Sequence, residues 1–151
     1  MNAPAIMVQN RQRKVRFDLD WLRRFASLAV ECCLCHRAAA SPPLPSLGEV
    51  AVSIISDEAI ARVHVEFMQV EGPTDVITFN HGEILISAAT AKLQAADYSQ
   101  ELEHELGLYI IHGLLHLNGY KDKRPADAAV MRKLQARLLK QTLAAMKKTG
   151  S

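Results

Sequence analysis

The sequence predicts an α/β (α+β) protein, with a small mixed four-stranded sheet covered by about five helices. Three observations carry this reading. Short Val/Ile-rich runs alternate with segments of helical periodicity over the first half of the chain, and the second half is all helical. The run Leu108 to Leu117 is apolar on every side and must be the central, most buried helix. Gly, Pro, Ser and Asp punctuate the chain where turns and caps are needed.

The elements follow in order. Ala5 to Gln9 is short and apolar and reads as a first strand. Asp18 is suited to cap a helix running to about Arg37, with Leu22, Phe25, Ala29 and Cys33 on its buried face. Ser41-Pro42-Pro43-Leu44-Pro45-Ser46 is a loop. Glu49 to Ser56 is a strand, and Ser56 caps a helix through about Phe67. Gly72-Pro73 makes a turn. Val76 to Phe79 and Glu83 to Ser87 form a hairpin about Asn80-His81-Gly82. Ser87 opens a helix to about Ala96, and Ser99 opens the long apolar helix that ends at Asn118. Pro125 fits the first turn of a last helix, whose buried side is Met131, Leu134, Leu138 and Leu139. Lys147 to Ser151 reads as a frayed tail.

Composition narrows the function. A chain of 151 residues, 49% hydrophobic and 23% charged, is long enough to bury one core, and residues 1–151 are expected to form a single domain. No apolar run reaches the roughly 20 residues that cross a bilayer. The residues after Met1 have no signal-peptide layout, so a cytoplasmic protein without membrane partners is expected. The net charge of +2 is not the global basic field of a DNA-coating protein. Cys32, Cys33 and Cys35, with His36, admit a metal knot, but their place in the run Leu22, Phe25, Ala29, Cys33 favours small buried helix residues.

The chemistry concentrates at His112-Gly113-Leu114-Leu115-His116-Leu117-Asn118-Gly119-Tyr120-Lys121-Asp122. Two histidines four apart stack on one helix face and reach a common point. Gly119 breaks the helix, and the returning chain can bring Asp122 to that point. Two imidazoles and one carboxylate make a divalent metal site with a position left for water. The nearest familiar pattern is HExxH, but Gly113 occupies the position of its catalytic glutamate, so this is not an ordinary zinc-protease helix. Lys121, Lys123 and Arg124 flank the loop, where they would hold a phosphate backbone in place. Arg11, Arg13, Lys14 and Arg16 form a second basic group, for which a solvated surface is an equal reading.

Several ordered segments resemble the YbeY family of bacterial metal-dependent endoribonucleases, the ribosomal RNA maturation factors. These are His112 to Tyr120 (HGLLHLNGY), Pro73 to Phe79 (PTDVITF), Gly82 to Ser87 (GEILIS) and the Ile55-Ser56-Asp57-Glu58 segment, spanning about Val50 to Tyr120. The resemblance implies a single-strand-specific endoribonuclease that processes ribosomal RNA, particularly the small-subunit 3′ end, and serves ribosome quality control. Its partners would be ribosomal RNA, the small ribosomal subunit and associated proteins.

It also implies one Zn²⁺ per chain, held by His112, His116 and the residue at position 122. The family's usual histidine there is Asp122 in this chain, which makes Mn²⁺ or Mg²⁺ more competitive. His81 and His104 are lesser substitutes for Asp122, and an ordinary surface or core histidine is the favoured reading of each. The family's usual arginine before the PTDV segment aligns with Met68, so that the arginine's role is either lost or filled by Lys121 or Lys123.

The implied reaction is attack of metal-activated water on a phosphodiester. Glu83 is the nearest acidic candidate for the water's proton, with a plain strand-end carboxylate as the equal alternative, and Asp75 is read as a turn residue. Arg16, Lys121, Lys123 and Arg124 would position RNA. Two other functions compete: a ribosome-assembly factor with a structural metal and little nuclease activity, and a non-haem iron oxygenase, which usually sits on a β-barrel and is disfavoured by the helix-rich order.

Overall fold

The computed structural model describes residues 3–38, 41–68 and 74–148. The Gly72-Pro73 turn and the last three residues of the expected tail lie outside them. The chain runs β1 (Ala5–Asn10), α1 (Leu19–Leu34), a single 3₁₀ turn (Leu44–Ser46), β2 (Glu49–Ile55), α2 (Asp57–Met68), β3 (Val76–Phe79), β4 (Glu83–Ser87), α3 (Ala88–Asp97), α4 (Leu102–Leu117) and α5 (Pro125–Lys148).

The sheet order is β1-β2-β4-β3, with β1, β2 and β4 parallel and β3 antiparallel to β4 at the edge. β1 and β2 are parallel because α1 carries the chain back to the starting end of the sheet. After α2 it is the antiparallel β3 that returns the chain, so that β4 runs parallel to β2. The β3–β4 hairpin closes at Gly82, whose φ of 108° is readily reached only without a Cβ. Strand alternation then sorts the side chains. Val50, Val52, Ile54, Ile84 and Ile86 face the main core with α1, α4 and α5. Ile55, Ile77 and Leu85 face Ile60 of α2 in a smaller cluster. The sheet is open at both edges and is not a barrel, which removes the oxygenase reading.

Caps set most of the helix ends. Asp18 accepts a hydrogen bond from Trp21 N (3.0 Å), Ser56 from Ala59 N (3.1 Å) and Ser87 from Thr90 N (3.0 Å). Two expected ends move. α1 stops at Leu34. α4 begins at Leu102 because Ser99 takes a left-handed φ of 52° and cannot start a helix. Lys147 and Lys148 belong to α5 and are not frayed.

α4 is the buried axis of the molecule. Leu106, Ile110, Ile111, Leu114, Leu115 and Leu117 are fully enclosed, each contributing about 1.5–3 kcal/mol by leaving water. It packs on α1, α3, α5, β3 and β4. It lies tightly against the sheet at Gly113, where a Cβ would lie 2.8 Å from Ile84 Cδ1 and 3.0 Å from Ile84 Cγ2. No described helix is long and apolar enough to cross a membrane.

Candidate metal centre

The last turn of α4 leads directly into the site. Leu117 is followed by Asn118 and then Gly119 at φ 104°. Tyr120 N donates to Leu115 O (3.0 Å) and Gly119 N to His116 O (3.1 Å), the paired bonds of a Schellman ending. This reversal holds the chain against the helix it has just left. Asn118 is fully buried, and its Nδ2 donates to Cys33 O (2.8 Å) and to His36 O. The end of α4 is thereby fastened to the end of α1.

The reversal brings three side chains to one point. His112 Nε2 and His116 Nε2 are 3.0 Å apart, and Asp122 Oδ2 lies 3.2 Å from the first and 3.3 Å from the second. The outer nitrogens are already engaged. His112 Nδ1 is 2.9 Å from Gln135 Oε1 on α5, and His116 Nδ1 is 2.9 Å from Tyr120 O. Both partners can accept, so each Nδ1 can donate to its partner and leave Nε2 to offer a lone pair to a metal. Two lone pairs and a carboxylate oxygen facing one another repel unless a cation sits among them.

The triangle has the right size for one. A tetrahedral zinc with bonds of about 2.0–2.1 Å has ligand–ligand edges of about 3.3 Å. The outer hydrogen bonds to a carbonyl and an amide oxygen are the second layer such imidazoles need. Among the described residues this is the one group of three or more His, Cys, Asp or Glu side chains able to hold a metal ion. The pKa of His116 is lowered, first by burial and then by the neighbouring His112, against a smaller opposing pull from Asp122. The imidazole therefore stays neutral and able to bind a metal further into the acid range.

Two cavities of about 590 Å³ each meet at His116, Lys121, Asp122 and Lys123. One extends to Arg124 and Asp127 on the α5 side. The other runs along the β3 edge past Thr78 and Asn80 to Met68. Lys121, Lys123 and Arg124 thus stand beside the three converging side chains. Met68 lines the same cleft as Lys121 and Lys123.

Other expected site residues are elsewhere. Glu83 is not brought to the cleft. Ile84 points at Gly113, so by alternation Glu83 projects from the opposite face of β4, where its Oε1 meets His81 Nε2 at 3.3 Å. Arg16 is also distant. Its neighbour Asp18 donates its backbone N–H to Glu103 in the first turn of α4 (2.9 Å), and the thirteen residues from Glu103 to His116 span about 20 Å of helix.

Neither substitute histidine approaches the triangle. His81 stacks on Phe79 and pairs with Glu83, while His104 pairs with Glu101 at 3.1 Å and stacks on Trp21. Of the cysteines, Cys33 is a buried residue of α1 whose thiol pKa burial pushes well up, Cys32 is a half-buried residue of the same helix, and Cys35 is exposed just past its end. Gln135 and the Tyr120 carbonyl escaped the sequence reading. A backbone acceptor has no sequence signal. For Gln135 the available signal was a polar residue beside Leu134, one turn past Met131 on a helix with a buried stripe.

Fold and site together define a class: a mixed α/β protein with a candidate metal centre. Two imidazoles and a carboxylate that could hold a metal ion converge at the end of a buried helix, beside a lysine-edged cleft. The comparisons give the family within that class. A family model described as endoribonuclease YbeY matches residues 7–143, and the chain belongs to that family.

Among curated relatives, endoribonuclease YbeY of Lacticaseibacillus paracasei is 34% identical over 113 residues, covering 64% of this chain and 74% of the relative. The Roseiflexus sp. endoribonuclease YbeY is 34% identical over 130 residues, covering 74% and 78%. The solution structure of TM1509 from Thermotoga maritima shares the fold, with a TM-score of 0.61 at 22% identity over 95% of this chain and 93% of that one. Family membership makes this chain a hydrolytic endoribonuclease.

Proposed function

We propose that residues 1–151 act as one domain in the cytoplasm, cutting single-stranded ribosomal RNA in maturation of the small-subunit 3′ end and in ribosome quality control. The partners are ribosomal RNA and the small subunit with its proteins, and the substrate is RNA rather than DNA. The observation that carries this reading is the convergence of His112 Nε2, His116 Nε2 and Asp122 Oδ2 beside an open cleft edged by lysines.

His112, His116 and Asp122 are the proposed ligands, and Zn²⁺ is the ion the imidazole pair suits best. The aspartate keeps Mn²⁺ and Mg²⁺ within reach. A divalent ion held there supplies Lewis acidity and lowers the pKa of water. The chain supplies the rest. Gln135 and the Tyr120 carbonyl fix the imidazole orientations. Lys121 and Lys123 hold the phosphate on the Met68 side of the cleft, and Arg124 holds it on the α5 side. Gly113 provides no base and Glu83 faces away, so Asp127, which lines the cavity with Asp122, is the carboxylate placed to take a proton.

Single-turnover cleavage of a small-subunit RNA precursor tests this. Cleavage should require divalent metal and disappear in Asp122→Ala. An uncut precursor with metal fully bound favours an assembly factor with a structural metal, a reading to which the apolar Met68 in the cleft lends support.

A further inference from the structure

We propose that the RNA-binding surface continues beyond the metal cleft, over Tyr120 and along α5 to Lys133 and Arg137, as a track for the flanking strand. This rests on the endoribonuclease reading above. Three grooves join end to end. The cavity at the metal centre shares Lys121 and Asp127 with a groove of about 270 Å³. That groove shares Tyr120 and Val130 with a third of about 300 Å³, whose far wall carries His36, Lys133 and Arg137.

The charge pattern names the occupant. Lys133 and Arg137 lie four apart on one face of α5, both exposed, and no carboxylate lines their groove. Like charges at that spacing repel, and an anion between them relieves the repulsion. Neither residue forms a salt bridge among the described residues. Between the cations and the metal centre the grooves are lined by the half-buried Tyr120 and the exposed Val130.

Cations spaced by an aromatic and an apolar contact suit a single strand, with phosphates on the charges and a base on the ring. From Asp127 to Arg137 the helix advances about 15 Å, the span of a few nucleotides. An acidic protein segment would match the charge but has no use for the continuity with the cleft.

The test is stopped-flow fluorescence anisotropy of metal-loaded protein with oligouridylates of 4 and 12 nucleotides, read before cleavage and across a salt series. Lys133→Gln/Arg137→Gln should weaken 12-mer binding about tenfold at low salt. It should also flatten the slope of log K against log salt by about 1.4, two contacts at roughly 0.7 each for single strands. The 4-mer should bind and be cut as in wild type. Arg62→Gln/Lys92→Gln removes the same charge from α2 and α3 and should leave the slope unchanged, with circular dichroism reporting the fold of both variants.

An unchanged slope in the α5 variant, or an equal loss in both variants, overturns the track while wild-type cleavage leaves the endoribonuclease reading standing. A wild type that cuts no RNA overturns that reading and the track with it.

Discussion

Gln135 Oε1 lies 2.9 Å from His112 Nδ1, so α5 reaches across to orient a side chain of α4. The contact fixes which nitrogen of His112 is free to bind a metal. Gln135→Ala should weaken metal affinity about 10–100-fold, the range for loss of an outer partner of a metal-bound histidine. Gln135→Glu, which keeps the acceptor, should retain affinity. Competition with a chromophoric chelator measures both, and equal affinity in all three proteins would remove Gln135 from the site.

Asp122 is the ligand the helix cannot supply. Elemental analysis of freshly purified protein should show the ion lost in Asp122→Ala and kept in Asp122→His, because a histidine there can reach the same point. Full stoichiometry in the alanine variant would mean that another group completes the site.

Acid should act on the metal-free protein through His116. Its pKa in the fold is lowered from the ordinary 6.5 by burial and by His112. Below 6.5 the unfolded chain takes up a proton that the folded chain still refuses. Stability is therefore whole above that value and declines as pH falls beneath it. Urea midpoints of metal-free protein at pH 7.5 and 5.5 should differ more in wild type than in His116→Gln. Bound metal should be released over the same acid range, since a protonated imidazole is no ligand.

Gly113→Ala sets two effects in opposition. The alanine improves helix propensity by about 1 kcal/mol, but overpacking costs about 1–3 kcal/mol. Three atoms of the fully buried, β-branched Ile84 would stand within 3.1 Å of the new methyl group. The clash should win, with net destabilisation of about 1 kcal/mol in chemical denaturation. Ile84→Ala in the same chain should restore part of the loss relative to the sum of the two single changes.

Most of the architecture was legible because each element announced itself locally. Asp18, Ser56 and Ser87 capped where expected, and Gly82 and Gly119 turned the chain where expected. The pair four apart on α4 implied a shared point, and the glycine after it implied the return. The misreadings concern relations between elements. Glu83 reads as an acidic strand end in a matched motif, yet which face of β4 it takes depends on which neighbour meets α4. Arg16 is basic like the loop cations, but chain packing sets it at the far end of the buried helix. The start of α4 was missed because Ser99 reads as a cap, while its left-handed backbone is a product of the α3–α4 junction.

The tight seat of Gly113 also bears on how this scaffold can diverge. Acquiring the glutamate of an HExxH helix would require a neighbouring strand to shed bulk in the same step. Either change alone meets a crowded wall or opens a hole, so a lineage passing through single substitutions would cross a valley of poorly folded ancestors. Descendants of this helix are thereby steered toward recruiting proton acceptors from the loops around the cleft.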